Sequence, residues 1–539
     1  MTRTNKYSVE IGKIILCFVF ICFIFYPFFN MVTHITQEDI YKVFHSNTFD
    51  RALKNSLKIA SISTVISVSI GLLLALSLQR TAIKFKSLFY ILFTVPMLIP
   101  SISHGMGLII LFGTNGTLKS LFHFQNTIYG MKGIITGSVL YSYPVAFLMF
   151  NDVLQYQDST PYEAATVLGI SKLRQMLVIT FPYLARTFIS CIFTVFTMVI
   201  TDYGVPLMIG GKNTTLAVMM FQQVLGQLDF GKGSVLGLLL LIPAVVTFLI
   251  NLLYKNRAKD TFVTKEFEID KARLRDSLAY FFCGFIILFE ATLFVSFGII
   301  AFTKKYPTNL SLTLDNFRKM VALRGNSYLT NSLVTAFSVS LIGVMFAFVT
   351  AYLTSRMPSK ASSALHLFSI TSLAIPGLVL GLSYAMTFNT SFIYGTLAII
   401  IMANTVHFFA SPYQMMYNSL SKMNENLENI GLTLRIDRIH MIKDVIIPQS
   451  KGTLFEMFSY FFVNSMMTIS AVSFLGNVHT KPLAMMISQF EGQVLYGCAA
   501  VVSLVIFAIN VFIKAVVYCI NNSKKLRGKG KQNVDQARI

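Results

Sequence analysis

About twelve stretches of roughly 20 mainly apolar residues punctuate the chain, each long enough to cross about 30 Å of hydrocarbon as a helix. In the first half they fall near 14–33, 56–78, 88–112, 131–151, 186–207 and 234–254. In the second half they fall near 278–302, 331–354, 364–388, 393–414, 453–475 and 495–519. None alternates apolar and polar residues with period two, so the short tilted strands of a membrane β-barrel do not fit. The pattern predicts an all-α integral membrane protein. The first run follows Arg3, Lys6 and Lys13. It is longer than a signal-peptide core and no small-x-small cleavage site follows, so it is read as an uncleaved first helix.

The chain is written twice. Laying residue n on residue n+276 brings Asn55-Ser56-Leu57 onto Asn331-Ser332-Leu333, Arg80 onto Arg356, Ile99-Pro100 onto Ile375-Pro376 and Gly105 onto Gly381. Generic membrane helices would share apolar runs, not matched Asn-Ser, Arg and Pro. Equal span counts make the copies parallel repeats, with a path expected at their interface. The expected division is a first repeat over 1–254, a cytoplasmic linker over 255–277, a second repeat over 278–520 and a basic cytoplasmic tail over 521–539.

Composition agrees with this pattern. Charged residues are 12% of the 539 and apolar residues 54%. An ordinary soluble surface needs about twice that charge. The net charge of +21 does not point to nucleic acid, because the basic residues lie between apolar runs and not on one soluble face. Roughly 28 Lys and Arg fall in segments that are cytoplasmic if the N-terminus is inside, against about 12 in external ones. Both termini are therefore expected inside a multi-pass cell (inner) membrane protein. The external stretch 303–330, with five basic residues, fits that rule least well. The six cysteines lie in or beside apolar runs without a Cys-x-x-Cys pair, which indicates neither a zinc site nor a disulfide framework.

The longest polar cytoplasmic loop of each copy lies between its fourth and fifth spans, over 158–182 and 424–448. The first carries Glu163-Ala164-Ala165, Gly169, Lys172, Ile179 and Pro182. Glu163 suits the positive end of a helix dipole, Gly169 permits a left-handed stop, and Pro182 is expected to open the next helix. In the second, aligned by Pro182 on Pro448, Glu163 falls on Asn429 with Glu428 beside it. Lys172 falls on Arg438, and Gly169 on Arg435, with Gly431 four residues earlier. Loss of that glycine puts the second turn's geometry in question.

This pattern resembles the Glu-Ala-Ala loop of permeases in binding-protein-dependent ATP-binding-cassette importers. The resemblance implies two tandem six-helix type I importer repeats, about 12 helices in all. It implies coupling through Glu163, Ala164, Ala165, Gly169, Lys172 and Pro182 in one copy. In the other the corresponding residues are Glu428, Asn429, Gly431, Arg438 and Pro448. It also implies two ATPase subunits on the cytoplasmic face and an extracytoplasmic solute-binding protein. ATP and Mg²⁺ would be bound by the ATPase partners, no cofactor or metal by this chain, and the permease would perform no bond chemistry.

Sites for chemistry are scarce. Gly226 to Gly233 has Gly-x4-Gly-Lys, but Gly233 stands where a Mg²⁺-holding hydroxyl is needed and no strand precedes it, so it is read as a turn before a helix. No catalytic residue is proposed. Asp202, late in the fifth span between Thr201 and Tyr203, is the best-placed ionisable group for a substrate path. An end cap on its helix is the equal alternative. Ser470 and Ser473 lie in the matching stretch of the second copy. His104 and His407 are read as satisfied core residues, and Glu290 as packed or lipid-facing.

The two-in-one chain, Asp202-Tyr203-Gly204-Val205-Pro206 and Leu216 to Met220 look like the fused permeases that import ferric iron or 2-aminoethylphosphonate. The neutral hydroxyls of Thr468 to Ser473 incline the choice to the phosphonate. Thiamine and polyamine permeases share the architecture. The competing class is a twelve-helix secondary transporter driven by an ion gradient, which has no need of paired cytoplasmic loops.

Overall fold

The computed structural model describes residues 3–114, 116–123, 127–255, 269, 271–305, 309–424 and 426–536. Among them, eight helices are long and apolar enough to cross a membrane, and two bent pairs bring the number to ten. The remaining two apolar runs fall on Leu397–His407 with Ala410–Ser421, and on Lys451–Met467. The expected linker lies largely outside the described residues (256–268 and 270), as does the end of the basic tail (537–539). Among the described residues, the one departure from an all-α chain is an antiparallel hairpin of Thr303–Lys305 with Asn309–Leu312, in the stretch 303–330.

The repeat is clearest at the broken spans. Helices Ser101–Phe112 and Gly377–Phe388 stand 276 residues apart at both ends. Each follows Pro100 or Pro376 at a sharp break in its span, bent by 96° and 105°. A proline has no N–H to give and disfavours a helical residue before it, so a helix interrupted there is expected. Beyond this point the copies run 266 apart. The connection 389–396 is ten residues shorter than its counterpart 113–130.

The matched Asn-Ser pair has a shared use. Asn55 donates to the Thr214 carbonyl (3.2 Å) and the Ser56 hydroxyl accepts from Leu216 N–H (2.8 Å). Asn331 donates to the carbonyls of His479 (2.7 Å) and Lys481 (3.3 Å), and Ser332 accepts from Leu483 N–H (2.7 Å). Leu216 and Leu483 each begin a short helix whose first N–H groups lack partners of their own. The pair therefore ties the segment between the fifth and sixth spans of its copy to the long helix Asn47–Arg80 or Gly325–Ser355.

Pro182 lies in the first turn of the α-helix Phe181–Thr201, as expected, but a π turn before it continues the span back to Lys172. Three wide-turn segments, Ile21–Phe25, Met176–Thr180 and Ile442–Ile446, end two residues before Pro27, Pro182 and Pro448. A π turn makes room for the ring that would clash with the carbonyl four residues back. At Pro27 that carbonyl, Phe23, accepts a hydrogen bond from the buried Tyr384 hydroxyl at 2.7 Å.

The chain packs as two compact units that differ from its halves. One comprises Met1–Ile35, Val321–Met486 and Val505–Ile539; the other comprises Thr36–Met320 and Ile487–Leu504. The opening span Val9–Thr33 thus belongs with second-half helices. Within that unit Phe20 meets Phe409 and Phe25 meets Phe368 edge to face. The buried Lys13 ammonium bonds Glu10 (2.8 Å), the Met357 carbonyl (2.8 Å) and Ser359 (3.0 Å). Correspondingly, Arg273–Ala301 belongs with first-half helices. There Leu293 and Phe297 lie against Gly107 so closely that a Cβ would fall 2.6 Å from the Leu293 side chain.

Candidate functional site

The first polar loop is a short helix, Thr160–Val167, and a turn into the fifth span. Asp158 accepts from the N–H (3.1 Å) and hydroxyl (2.9 Å) of Thr160, and Ser159 donates to the Glu163 carboxylate at 3.0 Å. Gly169 takes φ +70°. The Ile170 N–H reaches back to the Ala165 carbonyl (2.9 Å) and the Gly169 N–H to Thr166 (3.0 Å). These are the reversed bonds that close a helix on a left-handed residue. The buried Gln175 then donates to Thr166 (3.1 Å) and the Ile170 carbonyl (2.8 Å), fixing the turn to the span.

The second loop has the same shape from different residues. Arg435, at the glycine position, takes φ +56°. The Ile436 N–H bonds the Gly431 carbonyl at 2.8 Å, one copy-offset from the Ile170–Ala165 bond. Gly431 replaces Ala165 and lets the Met441 methyl in; a Cβ there would fall 2.3 Å from it. Met441 stands where Gln175 stands in the first copy, so apolar packing replaces a polar tie. The geometry survives the lost glycine, with left-handed strain of about 1–2 kcal/mol at a non-glycine residue.

Sequence reasoning missed what holds both loops to their copies. Arg80 ends the long helix Asn47–Arg80, donates to Gln157 and lies 5.8 Å over the Tyr162 ring. Its counterpart Arg356 makes a bidentate pair with Glu428 (2.7 and 2.5 Å). It also donates to the carbonyls of Met423 (3.0 Å) and Asn424 (2.7 Å). Tyr162 and Glu428 occupy the same loop position 266 apart, so one arginine serves one position through two chemistries. The Arg80–Arg356 match was visible in the sequence, but its partner was not.

Other expected coupling residues sit on the outside of these loops. Glu163, Ala164 and Lys172 are exposed in the first, and Asn429 and Pro448 in the second, with Arg438 half-buried. Exposed apolar side chains crown both turns. Leu168 and Leu173 are 75% and 76% exposed, and Leu434 and Ile439, their counterparts, 64% and 71%.

The residues read as a substrate path have structural partners. Asp202 accepts from the Ser101 hydroxyl (2.7 Å) and from the N–H groups of Gly204 (3.3 Å) and Val205 (3.0 Å). Its carboxylate thus caps the short helix Gly204–Ile209 and pins the break after Pro100. Thr201 donates to the Thr197 carbonyl (2.7 Å), and Tyr203 stacks on Phe221. In the second copy Gly377 replaces Ser101, and a Cβ on it would meet the Ser470 hydroxyl (2.3 Å) and His407 Nε2 (3.1 Å). Ser473 is buried and donates to the Ile469 carbonyl at 2.5 Å. His104 is buried 6.0 Å from the Tyr141 ring. Glu290 is buried in Arg273–Ala301, and its Oε1 has no hydrogen-bond partner among the described residues. The phosphate-loop look-alike straddles a turn and the first residues of the helix Phe230–Lys255, with Asp229 paired to Lys232 at 2.8 Å.

The family model described as the binding-protein-dependent transport system inner membrane component matches residues 67–259 and 340–525. The chain belongs to this family. It is an inner-membrane, multi-pass permease subunit with two copies of the family domain. The matched stretches contain both loops and both broken spans. The opening helix of each half, Val9–Thr33 and Arg273–Ala301, lies outside them.

The permease is 25% identical over 544 residues to the ferric transport system permease protein FbpB of Actinobacillus pleuropneumoniae, covering 96% of this chain and 79% of that one. It is also 25% identical over 494 residues to FbpB 1 of Haemophilus influenzae, which bears a ferric transport permease's name, covering 87% and 78%. PhnU of Salmonella typhimurium, named for 2-aminoethylphosphonate transport, is 25% identical over 220 residues, covering 39% of this chain and 77% of that one.

Proposed function

We propose that this permease couples an ATPase pair on the cytoplasmic face to alternating access, importing ferric iron from a solute-binding protein on the outer face. The observation that carries the coupling is the pair of turns at Gly169 and Arg435. Each presents exposed leucine or isoleucine side chains beside further exposed apolar groups, Val167 in the first loop and Ile430 and Ile436 in the second. Apolar groups displayed together in that way are the kind that partner proteins cover. The preference of basic residues for the same side supports a cytoplasmic placement, with both termini inside.

Nucleotide and Mg²⁺ belong to the partner subunits in this reading. The permease contributes no bond chemistry, only a path and two handles. For the cargo, likeness along nearly the whole chain to two ferric permeases outweighs the inclination toward the phosphonate drawn from Thr468 to Ser473.

The test is co-purification with the neighbouring ATPase and binding protein, then uptake into proteoliposomes. ATPase should co-purify, Glu163→Lys should release it, and uptake should require ATP. Ferric iron delivered on the binding protein should accumulate and 2-aminoethylphosphonate should not. Uptake that continues without an ATPase and stops with an uncoupler would overturn the coupling reading.

A further inference from the structure

The Asn-Ser contacts and the arginine contacts lie on the same two helices. Asn47–Arg80 carries Asn55 and Ser56 near one end and Arg80 at the other. Gly325–Ser355 carries Asn331 and Ser332 near one end, and Arg356 caps the other. At the outer end, in both copies, the side chains grip backbone leading into the segment between the fifth and sixth spans of that copy. At the inner end, in both copies, an arginine grips the polar loop between the fourth and fifth.

We propose that Arg80 and Arg356, with the Asn-Ser pairs, are positioning residues that make each long helix a rod joining its inner loop to its outer segment. This rests on the coupling reading above and names the route by which coupling crosses the membrane within each copy. A 31-residue helix spans about 46 Å at 1.5 Å per residue, enough to reach from face to face. An α-helix transmits displacement along its axis because every turn is bonded to the next, whereas the broken third and ninth spans bend beside it at Pro100 and Pro376.

The grip at each end is made for load. Arg356 holds Glu428 through two parallel bonds and two loop carbonyls through others, a fork geometry that fixes orientation as well as distance. Asn331 and Ser332 hold three consecutive alternate backbone groups, at His479, Lys481 and Leu483. The two copies use the same positions at both ends although the inner partners differ. Retention of the Asn-Ser ends is not required by the inner chemistry, nor the arginine by the outer.

The complex of permease, ATPase and binding protein in proteoliposomes tests this. Asn331→Ala with Ser332→Ala loosens only the outer end. ATPase co-purification and basal hydrolysis should persist, while the stimulation of hydrolysis by loaded binding protein falls about tenfold, a coupling energy in the usual range. Arg356→Gln should lower the same stimulation, and the exchange Arg356→Glu with Glu428→Arg should recover it in part. Thermal unfolding of each variant in detergent identifies a protein that has failed to fold, and Asn331→Ala alone, which removes the bonds to His479 and Lys481 but leaves Ser332 on Leu483, then replaces it. Stimulation within twofold of the wild type in both end variants overturns the rod. A wild-type permease that binds no ATPase overturns the coupling reading instead, and the two failures are told apart at the first step.

Discussion

The two loops reach one geometry by different means, and the first is the more conventional. Its left-handed residue is Gly169, its turn is tied by Gln175, and its arginine lies over an aromatic ring. The second has Arg435 at the left-handed position, Met441 packed on Gly431, and a buried ion pair in place of the ring contact. Local preference is weaker in the second loop and the tertiary anchor stronger. A turn whose residues no longer favour it persists when surrounding contacts over-determine it.

If the anchor compensates for the turn, removing it should hurt the second loop most. Arg356 and Glu428 side chains are 5% and 22% exposed, and breaking a buried pair from one side costs about 3–5 kcal/mol. Arg356→Ala should therefore lower the melting temperature in detergent markedly and expose the second loop to protease. Arg80→Ala, which loses a ring contact and a bond to Gln157, should do so less. Equal losses in the two variants would erase the proposed distinction.

The broken spans offer a second contrast. Asp202 joins the first break to a helix cap through three donors, whereas the second break has Gly377 packed against Ser470. Asp202→Ala should cost about 2–3 kcal/mol, from bonds to a charged acceptor. Asp202→Asn keeps an acceptor oxygen and should cost about half of that. Ser470→Ala should stay within about 0.5 kcal/mol. Melting curves decide this. If Asp202→Asn melts like the wild type yet abolishes the proposed uptake of ferric iron, the carboxylate serves the cargo and not the break.

Much of this was legible in the sequence, and for stated reasons. Proline and asparagine-serine pairs are rare enough in apolar runs to mark register, so the 276 offset held to the residue at helices Ser101–Phe112 and Gly377–Phe388. The Gly169 turn followed from backbone sterics alone. What stayed hidden was non-local. Nothing in an apolar run such as Val9–Thr33 says which helices it packs against, since lipid and protein suit its side chains alike. The partners of Arg80 and Arg356 lie 77 and 72 residues away, beyond any periodicity. Pro182 kept its place in a first α-helical turn, but the π turn that joins that helix to Lys172–Gln175 leaves no short-range signature in the sequence.

The smallest effect gives the finest test of the comparison. At φ +56° Arg435 carries left-handed strain of about 1–2 kcal/mol. Glycine would remove it but lose about 0.5–1 kcal/mol more backbone entropy on folding. The balance predicts that Arg435→Gly stabilises the permease by about 0.5 kcal/mol. Gly169→Arg, the mirror change at φ +70°, should destabilise by a similar amount. Both positions are exposed, so little packing is gained or lost by either. Chemical denaturation in mild detergent reads the two shifts, and their signs matter more than their sizes. Opposite signs place the difference in the backbone of the turn. Loss of stability in both would mean that the Arg435 side chain supports its loop, and the second copy would then be adapted and not merely held in place by Arg356.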